Sequence, residues 1–174
     1  MKTMQYIFTC CSLSVLLFSC DSFLDENPKG VLSNEQLNTP ENVEKMVIAA
    51  YSSLGNDHYT EPNSPWPYGD LRSGDAYKGG AGTGDLQEFH FYETFTYLRD
   101  DIGLLDSKWY KEYVAISRAN NALARLNAID EADFSKKMIR IAEMRFLRAH
   151  YYFELKLLFK QIPFIDETVP VEEY

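Results

Sequence analysis

After residue 20 this 174-residue chain contains no cysteine; the three it has are Cys10, Cys11 and Cys20. No disulfide framework and no thiolate-held metal can therefore form downstream of that point. A membrane-length apolar run is missing as well. The charge-free stretch Ile7–Phe18 is shorter than the about 20 apolar residues a spanning helix requires. Positive charge is scarce, with 17 Lys and Arg against 26 Asp and Glu and a net charge of −9. An acidic balance of this kind argues against nucleic acid and against electrostatic attachment to anionic lipid. There is no low-complexity tract and no G-x-S-x-G nucleophile motif. The three histidines, His58, His90 and His150, lack the spacing of metal ligands.

What is present begins at the N-terminus. Lys2 precedes the short apolar run, which ends in Leu17-Phe18-Ser19-Cys20. A short apolar core followed by a small residue beside a cysteine has the form of a signal peptide over residues 1–19, cleaved to leave Cys20 as an acylated N-terminus. Several acyl chains on one residue make a lasting anchor, because each buried methylene contributes about 0.8 kcal/mol and a single chain is marginal. The same segment also admits a secretory signal without lipid, or an uncleaved anchoring helix. Residues 20–38, polar at once from Asp21, then read as a tether. Loss of Lys2 with the signal leaves 16 basic against 26 acidic residues, a net of −10 on 155 residues, enough for one domain.

Three helical patterns follow. The first is expected over about Pro40–Leu54, with Thr39 as N-cap, Pro40 at the first helical position and Val43, Met46, Val47, Ala50 and Leu54 as the apolar stripe. The second is expected over roughly Ser107–Ala128, its stripe running Trp109, Tyr113, Ile116, Asn120, Leu123, Asn127. The third spans roughly Ser135–Lys160 and is apolar on several sides, as a helix packed on several sides must be. Ala142 and Ala149, seven apart, would let a neighbouring helix approach closely. The short link Ile129–Phe134 makes the last two helices antiparallel neighbours. Trp109 early in one and A-x-x-x-F, Ala142 to Phe146, in the next resemble a degenerate tetratricopeptide hairpin. The expected fold is all-α, with such hairpins and a long irregular insertion.

That insertion is Asn56–Asp106, about fifty residues rich in Pro, Gly, Asp and aromatics. Irregular segments of this length tend to carry function. Phe89, Phe91, Phe95 and Tyr97 fall on one parity and predict an extended piece. Gly79–Gly84 lacks the G-K-[ST] ending of a phosphate loop, and Asp70 and Asp75 do not have the spacing of a calcium loop. The candidate ligand residues are Trp66, Tyr68 and Tyr77, whose rings suit the apolar C–H faces of sugars, and Asp75 and Lys78, which suit hydroxyls. Ordinary loop packing is the competing reading for each. Asn120 is expected to bond a neighbouring backbone group, and Glu143, Arg145 and Arg148 to form a charge network gripping adjacent loops.

Four segments in order carry a resemblance: Phe23-Leu24-Asp25 with Pro28 after the lipoprotein cysteine; Gly69–Gly80; Trp109–Asn120; and Ala142–Leu155 followed by Ile162-Pro163-Phe164. Together they resemble the N-terminal part of the SusD/RagB family of outer-membrane nutrient-binding lipoproteins, with residues 39–174 as the SusD-like helical region. The resemblance implies a surface protein on tetratricopeptide-like helices that captures a glycan, or in some members a peptide. It would pass this ligand to a TonB-dependent SusC-like transporter, with the bilayer held through Cys20. It implies no cofactor, no metal and no catalysis. Acidic residues after Cys20 would, under one bacterial sorting rule, retain a lipoprotein at the inner membrane; the resemblance points to the outer membrane and its exterior face. Members are far longer, so the chain is expected to be a fragment, a truncated reading frame or a form of reduced competence. Two other functions compete: a membrane-anchored helical protein–protein adaptor without a small ligand, and a surface glycosidase.

Overall fold

The computed structural model describes residues 33–55, 58, 62–96 and 103–169. The signal segment, Cys20 and Tyr97 lie outside the described residues. Among the described residues there are six α-helices: α1 (Asn34–Leu37), α2 (Pro40–Ser52), α3 (Asp70–Ser73), α4 (Gln87–Thr94), α5 (Gly103–Ala128) and α6 (Lys137–Phe159). Among the described residues there is no β-strand, so the fold is all-α. The short α1 occupies part of the stretch expected to be tether.

The start of α2 follows from its sequence. Thr39 is extended (φ −89°, ψ 147°), and its hydroxyl accepts from the Asn42 N–H at 3.4 Å, while Pro40 stands where no N–H is needed. The helix ends at Ser52, and a 3₁₀ turn, Ser53–Gly55, completes the segment the sequence assigns to helix. Val43, Val47 and Ala50 are buried against the later helices.

Helices α5 and α6 form the antiparallel hairpin that the short link requires. Lys108 near the start of α5 meets Glu154 late in α6, and Asn120 midway meets Arg148. The seam is tight because α5 offers Ala115, Ala119 and Ala122, all fully buried. With Ile116, Leu123 and Leu126 opposite Met144, Leu147, Tyr151 and Leu155, they make one continuous core that includes α2. Tyr151 fixes the third side by donating to the Ala50 carbonyl at 2.7 Å. Burial pushes its phenol up to about 12.

Three expectations need correction. The buried arc of α5 is rotated from the one expected: Trp109 and Tyr113 are only half-buried and Asn127 is exposed, whereas Lys108 and Glu112 are buried. The insertion is not without helix, since it contains α3, α4 and the first turn of α5, where Leu104 is buried. The aromatic parity at residues 89–97 does not mark a strand. Phe89 and Tyr92, three apart, face inward on α4, and Phe95 ends that helix exposed. Phe89 and Tyr92 join Tyr68, Leu71 and Leu104 in a second, smaller core.

Candidate binding site

A buried ammonium ties the two cores together. Lys108 is 1 % exposed, and its Nζ lies 2.8 Å from Glu112 Oε1 and 3.2 Å from Glu154 Oε2 while donating to the Asn63 carbonyl. Two carboxylates and a carbonyl are what an ammonium needs when it leaves water. Burial pushes the Glu112 carboxyl above its ordinary range, against the opposing pull of Lys108. Tyr68 closes the same joint: its hydroxyl donates to the Leu104 carbonyl at 2.9 Å and lies 3.3 Å from that of Pro62. The loop that starts at Pro62 is thus bolted to the helical hairpin.

On this base the segment from Ala76 to Thr94 forms an open cleft of about 330 Å³. It is lined by Tyr77, Lys78, Gly79, Gly80, Gly82, Thr83, His90, Glu93 and Thr94. One wall is the glycine loop, the other the outer face of α4. Lys78 Nζ donates to the Gly82 carbonyl at 2.9 Å, curling the loop around its own side chain. Asp85 Oδ2 accepts the Ala81 N–H at 3.0 Å. Gly80 is at φ 78°, where a side chain is strained, and a Cβ there would sit 2.4 Å from that carboxylate oxygen, which would have to shift. On the α4 wall His90 Nδ1 stands 4.0 Å from Glu93 Oε2, a pair that is ionic when the histidine is protonated. The Tyr77 ring is 81 % exposed at the rim.

The structure separates the sequence-chosen residues. Tyr77 and Lys78 line the cleft. Tyr68 belongs to the second core: it is 7 % exposed and sits edge-on to Tyr92. Its ring is closed to a ligand because its hydroxyl anchors the loop. Trp66 is half-buried and stacks on Phe89 at 5.2 Å. Asp75 is exposed and accepts from Ser73 Oγ at 2.7 Å, outside the residues that line the cleft. His90, Glu93 and Thr94 were missed because they sit in the stretch read as extended. On a helix, residues 90, 93 and 94 share one face.

Asn120 and Arg148 play the structural part expected of them. Asn120 Nδ2 donates to the Ile165 carbonyl at 3.0 Å and its Oδ1 accepts from Arg148 at 2.7 Å. Arg148 also pairs with Glu167, so the segment after α6 is clasped to the hairpin. Tyr113 and Tyr152 add hydroxyl bonds to the Pro163 and Ile165 carbonyls at 2.8 and 2.7 Å. Glu143 pairs with Arg140 at 2.7 Å, and Arg140 reaches Glu44 on α2 at 3.0 Å. Arg145 is exposed.

A second groove, about 360 Å³, lies between α2 and α5 and is lined by Leu37, Met46, Ala49, Arg118, Asn121 and Arg125. Among the described residues that line it there is no aromatic ring. Arg118 and Arg125 are engaged there with Ser53 Oγ at 3.0 Å and Asn38 Oδ1 at 3.2 Å. Among the described residues no group of His, Cys, Asp and Glu is placed to hold a metal ion, and no helix is long and apolar enough to cross a membrane.

A hairpin-based all-α fold carrying a glycine-loop cleft defines a helical protein with an open cleft on its loop lobe. Residues 22–173 match the sequence model of a SusD-like family described as starch-binding and associating with the outer membrane. The chain belongs to this SusD-like family. It is 31 % identical over 168 residues to SusD-like protein P2 of Formosa agariphila, covering 95 % of this chain and 32 % of that protein. It is 25 % identical over 178 residues to SusD-like protein P25 of the same organism, covering 96 % of this chain and 31 % of that one. The chain therefore spans about a third of the length of these curated relatives.

Proposed function

We propose that this chain is the N-terminal region of a cell-surface lipoprotein that binds a nutrient glycan and delivers it to a SusC-like TonB-dependent transporter of the outer membrane. The observation that carries the ligand part is the Tyr77 cleft in a chain whose family is described as starch-binding. Tyr77 supplies an open ring face for a sugar. Lys78, His90, Glu93 and Thr94 supply donors and acceptors of both signs within one cleft, which suits neutral hydroxyls. Among the described residues Glu93 is the one carboxylate lining it, whereas glycoside hydrolysis characteristically uses two carboxylates flanking the bond. Binding without cleavage is the reading this favours.

Residues 1–19 act as the signal peptide and acylated Cys20 as the anchor, on the exterior face of the outer membrane. Isothermal titration against a panel of neutral oligosaccharides tests the ligand. One member of the panel is expected to bind, and Tyr77→Ala to weaken it at least tenfold. Failure of the whole panel to bind, or binding indifferent to Tyr77, would count against the cleft.

A further inference from the structure

The groove between α2 and α5 is built from different chemistry than the Tyr77 cleft. Its α5 wall is polar. Arg118, Asn121 and Arg125 stand at positions i, i+3 and i+7 of one helix face, with the two arginines about 10 Å apart along the axis. The facing wall is apolar: Leu37 from α1 and Met46 and Ala49 from α2, all half-buried. Among the described residues that line the groove there is no carboxylate. The acidic residues of α2, Glu41 and Glu44, are taken by Lys45 and Arg140.

Arg118 is fixed in the polar wall through one nitrogen. Its Nη1 donates to the Ser53 hydroxyl at 3.0 Å and to the Ala49 carbonyl at 3.5 Å. Both acceptors are neutral, and among the described residues Arg118 makes no ion pair. A guanidinium carries five N–H groups in one plane and stays charged, so the rest of it is a fork ready for a carboxylate. Arg125 is steadied by the Asn38 amide oxygen at 3.2 Å. Lys111, one heptad before Arg118, continues the row in a chain whose net charge is −9. A basic row on an acidic chain concentrates small anions locally.

We infer that this groove binds a small amphipathic carboxylate, with its anionic head on Arg118 and a short acyl body along Leu37, Met46 and Ala49. Each wall excludes an alternative. An inorganic anion would leave the apolar wall facing water. A neutral ligand of the same shape would cover Arg118 without pairing its charge, which is costly. A sugar would find no ring to stack on. The volume of about 360 Å³ is at the lower end of ligand pockets and admits one small molecule. The groove shares no lining residue with the Tyr77 cleft, so the inference is independent of what that cleft binds.

The test is isothermal titration of the full chain with hexanoate. Hexanamide supplies the same body with a neutral head, and acetate the head alone. Hexanoate is expected to bind at least tenfold more tightly than either, and to weaken as salt is added. Arg118→Gln removes the charge, and Asn121→Asp sets a carboxylate between the two arginines; each should weaken hexanoate at least tenfold. Asn121 is exposed, so its variant reads the groove even where Arg118→Gln fails to fold. Tyr77→Ala should leave hexanoate binding unchanged. Hexanoate that does not bind at millimolar concentration, that binds no better than hexanamide or acetate, or that is indifferent to Asn121→Asp would overturn the inference. Hexanoate binding lost in Tyr77→Ala would move the carboxylate to the cleft and overturn it too.

Discussion

The helical bundle and the loop lobe of this protein solve the same problem by different means. The bundle of α2, α5 and α6 buries a continuous apolar core at fixed helical spacing, so each element presents a stripe that its neighbours complete. The lobe from Pro62 to Phe95 has two short helices and four buried core side chains, completed by Leu104 of α5. It borrows its order from the bundle, through the Lys108 ammonium at Asn63 and the Tyr68 hydroxyl at Leu104. The difference places the chemistry. Backbone free of helical hydrogen bonds can curl into the glycine loop, and a rigid base holds that loop in position.

Breaking the bundle should cost most. Leu123→Ala, at a fully buried site, is expected to lower unfolding free energy by about 2–5 kcal/mol, read by urea denaturation, with both regions lost in a single transition. Lys108→Met attacks the joint instead. It leaves the buried Glu112 and the partly buried Glu154 without their cation, a loss of about 3 kcal/mol. Hydrogen exchange should speed first at residues 62–76, and equal acceleration throughout α2 would show that the joint is not specific to the lobe.

A smaller effect comes from Glu112 alone. Its carboxyl is held above the ordinary value of 4.5, so the folded chain keeps that proton to higher pH than the unfolded chain does. Its contribution to stability is therefore present below the ordinary carboxylate range and is lost as pH rises through the folded value. Glu112→Gln should gain on the parent as pH rises above the ordinary carboxylate value in paired denaturation curves. A constant difference across that rise would contradict the sign. Least of all, Tyr77→Ala should change stability by no more than about 0.5 kcal/mol, since its ring is exposed, while weakening the proposed glycan binding at least tenfold.

The bundle was legible because its signals are periodic and local. Thr39-Pro40 marks a helix start, and four-and-three spacing marks the two long helices to within a few residues at the ends that the structure describes. Where the reading slipped on α5, it followed hydrophobicity. Trp109 and Tyr113 looked like core, yet Lys108 and Glu112 take the buried arc because they neutralise each other across one turn. A single sequence does not display a partner such as Glu154, 46 positions away. The lobe was harder to read for a related reason. α4 is eight residues long, too short for its period to separate from alternation, and its aromatics satisfied both patterns. Of the residues chosen for the site, Tyr77 and Lys78 line the cleft, while Tyr68 was chosen for a ring that the fold uses as a peg.

The Lys108 joint also makes the two regions depend on each other. An ammonium stripped of water before its carboxylates arrive is penalised by several kcal/mol, and Glu154 arrives only when α6 has closed onto α5. Docking of the Asn63 segment is therefore coupled to hairpin closure. The glycine loop, mounted on that segment, owes its placement to a charge contact made across the two long helices.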